Sequence, residues 1–140
     1  MRLAVVSFLA LLAAACAAPV TKEETAGLDY GPRPTRFKEE ITSYLKLRLT
    51  DPKDALIEFR TEPQQMYQRK VAMRDMHYGW AVCVWVNDKN RAGAYSGFYP
   101  MVFFFRHEKI VQVNGGPGDF GIGAQYARSQ CEQLGAPFKG

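Results

Sequence analysis

The segment from Tyr78 to Arg106 constrains the fold most, because its apolar residues alternate as a β-strand requires. If the chain is extended there, both of its faces are apolar. One face carries Trp80, Val82, Val84 and Val86, and the other carries Ala81, Cys83 and Trp85. The run 101–105 is apolar on both faces as well. A long strand of this kind has to be covered on at least one side by another layer.

The remaining elements place this strand pattern between two helices. Apolar residues recur every three or four positions over 35–49, where Thr35 can cap a helix and acidic residues fill the first turn. The other predicted elements are a short turn at 51–52, a strand at 56–60, a loop at 61–76, strands at 94–106 and 110–113, and a helix at 122–134. Strands that follow one another between helices indicate an α+β domain. We expect an antiparallel sheet of about four strands, packed on one face by the N-terminal and C-terminal helices.

Such an arrangement leaves the other face of the sheet uncovered. An exposed apolar face usually marks a protein interface or a ligand groove. Alternatively, the loop 61–76 folds over it. The candidate contact residues are Trp80, Val82, Val84, Val86, Asn87, Lys89, Asn90 and Tyr95.

The N-terminus has the pattern of a secretory signal. A cation at Arg2 precedes an uninterrupted run of small and apolar residues over 3–15, which is too short to span a membrane. The sequence Leu12-Ala13-Ala14-Ala15-Cys16 resembles a bacterial lipobox, in which the Cys is acylated and becomes the new N-terminus. Ala13 departs from the Leu preferred at that position, so simple cleavage after Ala15 is the alternative.

These features divide the chain into a signal peptide (1–15), a lipidated Cys16 with a flexible tether (16–34), and one domain (35–140). The tether is predicted because 17–34 is rich in Pro and Gly and poor in apolar residues. By resemblance to Gram-negative lipoproteins, Ala17 implies the outer membrane, with the domain in the periplasm. The excess of 18 Lys and Arg over 14 Asp and Glu is too small to predict nucleic-acid binding.

If Cys16 is the anchor, Cys83 and Cys131 remain as an even pair in an oxidising compartment. A disulfide between them would fasten the last helix to the sheet. Two buried free thiols are the alternative. Neither Cys has a second Cys at the spacing of a redox motif, so redox catalysis is not expected.

No catalytic or cofactor motif is persuasive. Residues 116–121 match GxGxxG formally, but no strand with an acidic residue follows, so we predict a flexible turn. His77 and His107 lack the spacing of a metal pair, and no Ser lies in a nucleophile motif. We therefore expect no metal, no cofactor and no enzymatic activity.

The segment from Cys83 to Phe98 resembles a family of small proteobacterial secreted proteins and lipoproteins. Its members carry C-x-x-V-N-x-K-N-x-x-G-x-Y-x-G followed by Phe or Tyr, and an upstream D-P-x-[SD]-A that residues 51–55 match. Asp88 departs from the pattern, in which Ala is commoner. The family implies no established activity. From the residues alone, Asn87, Lys89, Asn90 and Tyr95 form a hairpin whose side chains bond their own backbone, or else a recognition edge.

The sequence thus predicts an envelope lipoprotein that acts as a non-catalytic interaction or structural module. Its sheet would bind another envelope protein or a second copy of the chain, as a homodimer. The alternative is a soluble periplasmic protein that binds a small ligand in an aromatic pocket near Trp80, Trp85 and Tyr95.

Overall fold

Five antiparallel strands and three helices make up the computed structural model, which describes residues 18–71 and 74–140. The predicted signal segment and Cys16 therefore lie outside the described residues. The helices are α1 (Lys22–Thr25), α2 (Phe37–Lys46) and α3 (Ile122–Gln133). The strands are β1 (Leu56–Phe59), β2 (Gln64–Gln68), β3 (His77–Asn87), β4 (Tyr99–Arg106) and β5 (Lys109–Asn114).

The long strand β3 organises the sheet. β1 and β2 both pair with one edge of β3, β1 beside its second half (Ile57 opposite Val86) and β2 beside its first half (Met66 opposite Gly79). β4 pairs with the other edge of β3, and β5 pairs with β4. The prediction of an α+β domain with an antiparallel sheet is confirmed.

The fifth strand, β2, lies in the segment that we expected to be a loop. Its sequence is QQMYQ, and Met66 is its only buried residue. Because β2 lies at an edge of the sheet, two of its residues are exposed and two are only half-buried. The apolar alternation that identifies a strand is therefore missing. Similarly, β4 begins at Tyr99 rather than at 94, and 88–98 form the connecting loop.

The two long helices lie on opposite faces of the sheet, so the expectation that they share one face is wrong. Helix α2 packs Phe37, Ile41 and Leu45 against the face that carries Val82, Val84, Val86 and Phe103. Helix α3 packs Ala127 and Cys131 against the face that carries Ala81, Cys83 and Phe104. Each apolar face of the sheet is therefore covered by its own helix. A strand that is apolar on both faces is stable only if both faces are buried.

Two buried links, one polar and one covalent, fasten α3 to the sheet. Cys83 and Cys131 form the predicted disulfide, with their Cα atoms 5.2 Å apart. The Asn114 side-chain amide also donates a hydrogen bond of 2.7 Å to the Gln130 carbonyl oxygen, and both residues are buried. This hydrogen bond satisfies the Gln130 side-chain oxygen inside the core, whereas the Gln130 side-chain nitrogen has no partner among the described residues.

Residues 18–34, which we call the strap, pack against the domain, and this corrects the expected flexible tether. The guanidinium of Arg69 bonds the Glu24 carboxylate, and the Trp80 indole N–H donates to the Gly31 carbonyl at 3.1 Å. These partners lie about 45 residues away along the chain, so local composition cannot indicate them. Within residues 18–71 and 74–140, no helix is both long and apolar enough to cross a bilayer.

Candidate functional site

The predicted interaction face is part of the hydrophobic core. Val82, Val84 and Val86 are fully buried, because α2 packs against them in one hydrophobic cluster. Trp80 is half-buried, with its indole ring set edge-on to Tyr30 and its N–H bonded to the strap. The hypothesis that this face is open to a partner is therefore wrong.

The three aromatic residues of the alternative pocket do not meet. Trp80 and Trp85 point to opposite faces of β3, as their odd and even positions require. Trp85 packs edge-on to Phe138 and lies under the Arg60 guanidinium at 4.0 Å. The Tyr95 hydroxyl lies in the loop after β3 and donates to the Asp54 carbonyl at 2.8 Å. The aromatic pocket expected near these residues is not formed.

The loop between β3 and β4 holds itself with its own polar side chains. The Asn87 carbonyl oxygen accepts from the backbone N–H of Gly97 at 3.1 Å. That of Asn90 accepts from two backbone N–H groups further along the loop, at 2.9 and 3.1 Å. These bonds match the first of the two interpretations of the motif, a hairpin that bonds its own backbone. In such a turn an Asn side chain accepts the hydrogen bond that a backbone carbonyl would otherwise accept.

Lys89 fastens the same loop to the turn before β1. Its ammonium group pairs with the Asp54 carboxylate, and this hydrogen bond raises the pKa of Lys89 above its ordinary value. Together with the hydrogen bond from Tyr95 to Asp54, this ion pair joins the segment 51–55 to the loop between β3 and β4. These are the two segments that carry the two sequence motifs. The loop is thus positioned from outside as well as from within.

A second loop, over 115–121, faces the first and contains the GxGxxG match. Gly115 has a φ of +78°, and a Cβ there would lie 2.5 Å from the Pro100 carbonyl oxygen. Only glycine allows this loop to approach β4 so closely. The Asp119 carboxylate accepts from the N–H of Gly121 at 3.1 Å and so bonds within its own turn. The formal nucleotide motif is therefore a turn into α3.

The two loops enclose a cleft of about 490 Å³ at one end of the sheet. This volume lies within the range of small-molecule sites. Its apolar walls include Phe98, Pro100, Pro117 and Phe120. Its charged residues are Asp88, Lys89, Arg91, Asp119 and Arg128. Phe120 is 93% exposed at the opening of the cleft.

Asp88 supplies a nearly buried carboxylate to the cleft. The residue is 6% exposed, and one carboxylate oxygen accepts a hydrogen bond of 3.2 Å from the Tyr99 hydroxyl. Burial, and then the neighbouring Asp88 charge, raise the pKa of Tyr99 well above its ordinary value, so the phenol remains a donor. In the described part of the chain, no cation lies within ion-pairing distance of this carboxylate. A buried charge without a cation is unfavourable unless something else balances it.

The cleft offers groups for binding rather than an assembled catalytic set. Ser96 lines it, but the Ser96 hydroxyl donates to the Asp88 carbonyl at 3.4 Å, and no histidine of the described chain lines the cleft. His107 pairs with Asp29 at 3.0 Å, and burial against Phe104 lowers the pKa of His77. Among the described residues, no group of three His, Cys, Asp or Glu could hold a metal ion.

Sequence reasoning identified both loops of the cleft but did not bring them together. The one feature of the sequence that could have indicated the cleft is Asp88, a charged residue at a position where the motif described above more often has Ala. Tyr99, which bonds Asp88, and the loop 115–121, which lines the same cleft, come from later parts of the chain. A charged residue in a turn is normally solvated, so the sequence alone gave no reason to expect a buried one.

Comparison of the chain with protein-family models, with curated proteins and with solved structures finds no match.

Proposed function

We propose that this chain is a non-catalytic envelope lipoprotein whose domain binds a small, amine-bearing ligand in the cleft. In this proposal Cys16 carries the acyl chains, the outer membrane holds them, and the domain faces the periplasm. The N-terminal pattern and the hairpin motif support the anchor and the envelope location. The cleft supports ligand binding over the interaction module, because the face assigned to a protein partner is covered by α2.

One observation carries the ligand assignment, namely the buried Asp88 carboxylate at the cleft. Its only hydrogen bond from a side chain of the described residues comes from Tyr99, which leaves acceptor capacity on the carboxylate. A ligand ammonium group supplies both the missing positive charge and the hydrogen-bond donors. A metal ion fits less well, since no group of three His, Cys, Asp or Glu among the described residues could hold one.

The rest of the cleft suits a small organic molecule. Phe98 and Pro100 provide apolar contact, while Arg91 at the rim can pair with an anionic substituent. The two loops are braced by their own hydrogen bonds, so the site is largely formed before binding. A ligand with an amine at one end and a polar or anionic group at the other matches this distribution.

The test is calorimetric titration of the mature protein with small amines and with their N-acetylated counterparts. Glucosamine, putrescine and lysine cover three shapes of ligand. We expect at least one amine to bind and its N-acetylated form to bind roughly ten-fold or more weakly, because hydrogen bonds to charged groups contribute about 1.5–3 kcal/mol.

Variants separate the site from general effects of charge. Asp88→Asn keeps the shape of the side chain and removes the charge, and we expect a similar ten-fold loss. Asp75→Asn is the matched control, since Asp75 is exposed and pairs with Lys70 far from the cleft. Equal affinity of Asp88→Asn and the parent protein, with both folded by circular dichroism, would show that the carboxylate is not the recognition group.

A further inference from the structure

The start of the strap is clamped to the loop between β2 and β3. The Arg69 guanidinium donates to both oxygens of the Glu24 carboxylate, each at 2.6 Å. It also donates to the Pro19 carbonyl at 2.7 Å and to the Ala18 carbonyl. One side chain thus holds the first described residues and α1 together, with the bidentate geometry that Arg forms with carboxylates.

The rest of the strap is held at the same end of the sheet. Tyr30 packs edge-on to Tyr78, with ring centroids 5.2 Å apart. Asp29 pairs with His107 in the turn between β4 and β5, at 3.0 Å. A Cβ at Gly31 would lie 2.7 Å from the His107 ring, so the strap lies tightly against this turn. Residues 18–31 therefore form part of that end of the domain.

The covalent chain from Cys16 to Ala18 is only two residues long. Consecutive Cα atoms are 3.8 Å apart, so this stretch reaches at most about 7–8 Å. The polar layer on each side of a bilayer is about 5–8 Å thick. If Cys16 is acylated, as the proposed function has it, Ala18 and the Arg69 side chain bound to it cannot lie far from the lipid headgroups.

We propose that the end of the domain formed by Ala18–Lys22 and Arg69–Val71 rests directly on the phospholipid surface. The cleft is then held at the opposite end, facing away from the membrane. This inference rests on the lipid anchor of the proposed function and adds the orientation of the domain.

The chemistry of the contacting end fits a bilayer surface. Lys22 and Lys70 are exposed there, Lys70 with the Asp75 carboxylate at 3.6 Å, and both ammonium groups can contact headgroup phosphates. Val20 and Val71 are 47% and 45% exposed and can enter the headgroup boundary. Val20 and Lys22 follow the strap carbonyl groups that Arg69 bonds, and Lys70 and Val71 follow Arg69 itself. All four therefore lie next to the contact between Arg69 and the strap.

The strand β3 sets the distance between the two ends. It runs from His77, beside the clamped loop, to Asn87, which begins the cleft loop. Ten residue steps at roughly 3.3 Å each give about 33 Å. The opening of the cleft therefore lies about 30 Å from the phospholipid surface, within reach of a ligand in the aqueous space.

The experiment measures the depth of two labels on the lipidated full-length protein. Cys83 and Cys131 are joined and Cys16 is acylated, so Lys70→Cys or Ala92→Cys adds one free thiol for a nitrobenzoxadiazole label. Each labelled protein is placed in vesicles of phosphatidylethanolamine and phosphatidylglycerol that contain a lipid with a nitroxide on its headgroup. We expect several-fold stronger quenching of the label at 70 than of the label at 92.

Arg69→Ala releases the strap without altering Cys16. In this variant we expect the quenching at 70 to fall to the level seen at 92, because the domain is then freed from the surface. Equal quenching at the two sites, in a protein whose mass includes the acyl chains, would overturn the orientation alone. A protein without that added mass that does not float with vesicles would overturn the anchor, and the orientation with it.

Discussion

Cys83 lies at the centre of the sheet and Cys131 lies on the buried face of α3, and their disulfide joins two residues 48 positions apart in sequence. It is the covalent link between α3 and β3, the strand that organises the sheet. Because α3 also forms one wall of the cleft, the disulfide positions the cleft loop 115–121 indirectly.

Removing this disulfide should destabilise the domain by about 2–4 kcal/mol, since closing a loop of this length restricts the unfolded chain. The variant is Cys83→Ala combined with Cys131→Ala, which leaves no buried thiol. Urea denaturation, followed by far-ultraviolet circular dichroism, measures the change. Reductant should lower the midpoint of the parent protein and leave that of the double variant unchanged. If reductant exposes two thiols without moving the midpoint, the link adds nothing to stability.

A carboxylate at Val84 should prevent folding, because this side chain lies in the core beneath α2. Burial of an unpaired charge costs more than about 4 kcal/mol, which approaches the whole stability of a small domain. Val84→Asp is therefore expected to lack a cooperative thermal transition. Val111→Asp is the matched control, since Val111 lies on β5 with 41% of its surface exposed. A folded Val84→Asp protein would mean that α2 does not cover this face.

The example of Val84 shows what local sequence patterns can and cannot predict. Alternation of apolar residues placed Val84 and Cys83 on opposite faces of one strand, and the structure confirms this. Alternation does not say which helix covers which face, because that depends on contacts between Ile41 and residues some 40 positions later. The elements were predictable, whereas their mutual arrangement was not.

The strap and the cleft were missed for the same physical reason. Residues 18–34 have the composition of a linker, but Arg69 and Trp80 supply the partners that order them. Asp88 has the sequence context of an ordinary turn residue, but Tyr99 bonds its carboxylate and the loop 115–121 lines the same cleft. Each feature depends on a polar contact between distant segments, which leaves no periodic signal in the sequence.

Acid should release the strap. The hydrogen bonds from Arg69 are the main cause that lowers the pKa of Glu24 from its ordinary 4.5 to about 2. A lowered pKa in the folded state means that the ion pair stabilises the strap fully above pH 4.5. This contribution is lost as the pH falls from 4.5 through about 2. Fluorescence of Trp80, whose indole bonds Gly31, reports the release in a Trp85→Phe background.

The control for acid release is Glu24→Gln in the same background. This variant lacks the proton-linked pair of Glu24 with Arg69, so the part of the fluorescence change that this pair causes between pH 4.5 and 2 should be missing. Far-ultraviolet circular dichroism over the same range follows the sheet and separates strap release from general unfolding. Superimposable titrations of the two proteins would show that the pair of Glu24 with Arg69 does not hold the strap.

Gly115 should be the least replaceable glycine of the loop 115–121. A methyl group there would meet the Pro100 carbonyl oxygen at 2.5 Å and the Ala127 side chain at 3.1 Å, so β4 and α3 would have to move apart. Gly118 has a similar φ of +71°, but a Cβ there meets nothing within 4 Å. The backbone cost of a positive φ, about 1–2 kcal/mol, is therefore common to both positions. Only Gly115→Ala adds about 1–3 kcal/mol for overpacking.

Thermal unfolding of Gly115→Ala and Gly118→Ala gives these two contributions separately. We expect the larger loss for Gly115→Ala, together with weaker amine binding, because the loop 115–121 would be pushed away from Asp88. Gly118→Ala should keep the affinity of the parent protein, since its added methyl group contacts no other part of the cleft. Equal destabilisation by the two substitutions would mean that the loop lies farther from Pro100 than in the structure. The volume of the cleft would then be larger than about 490 Å³.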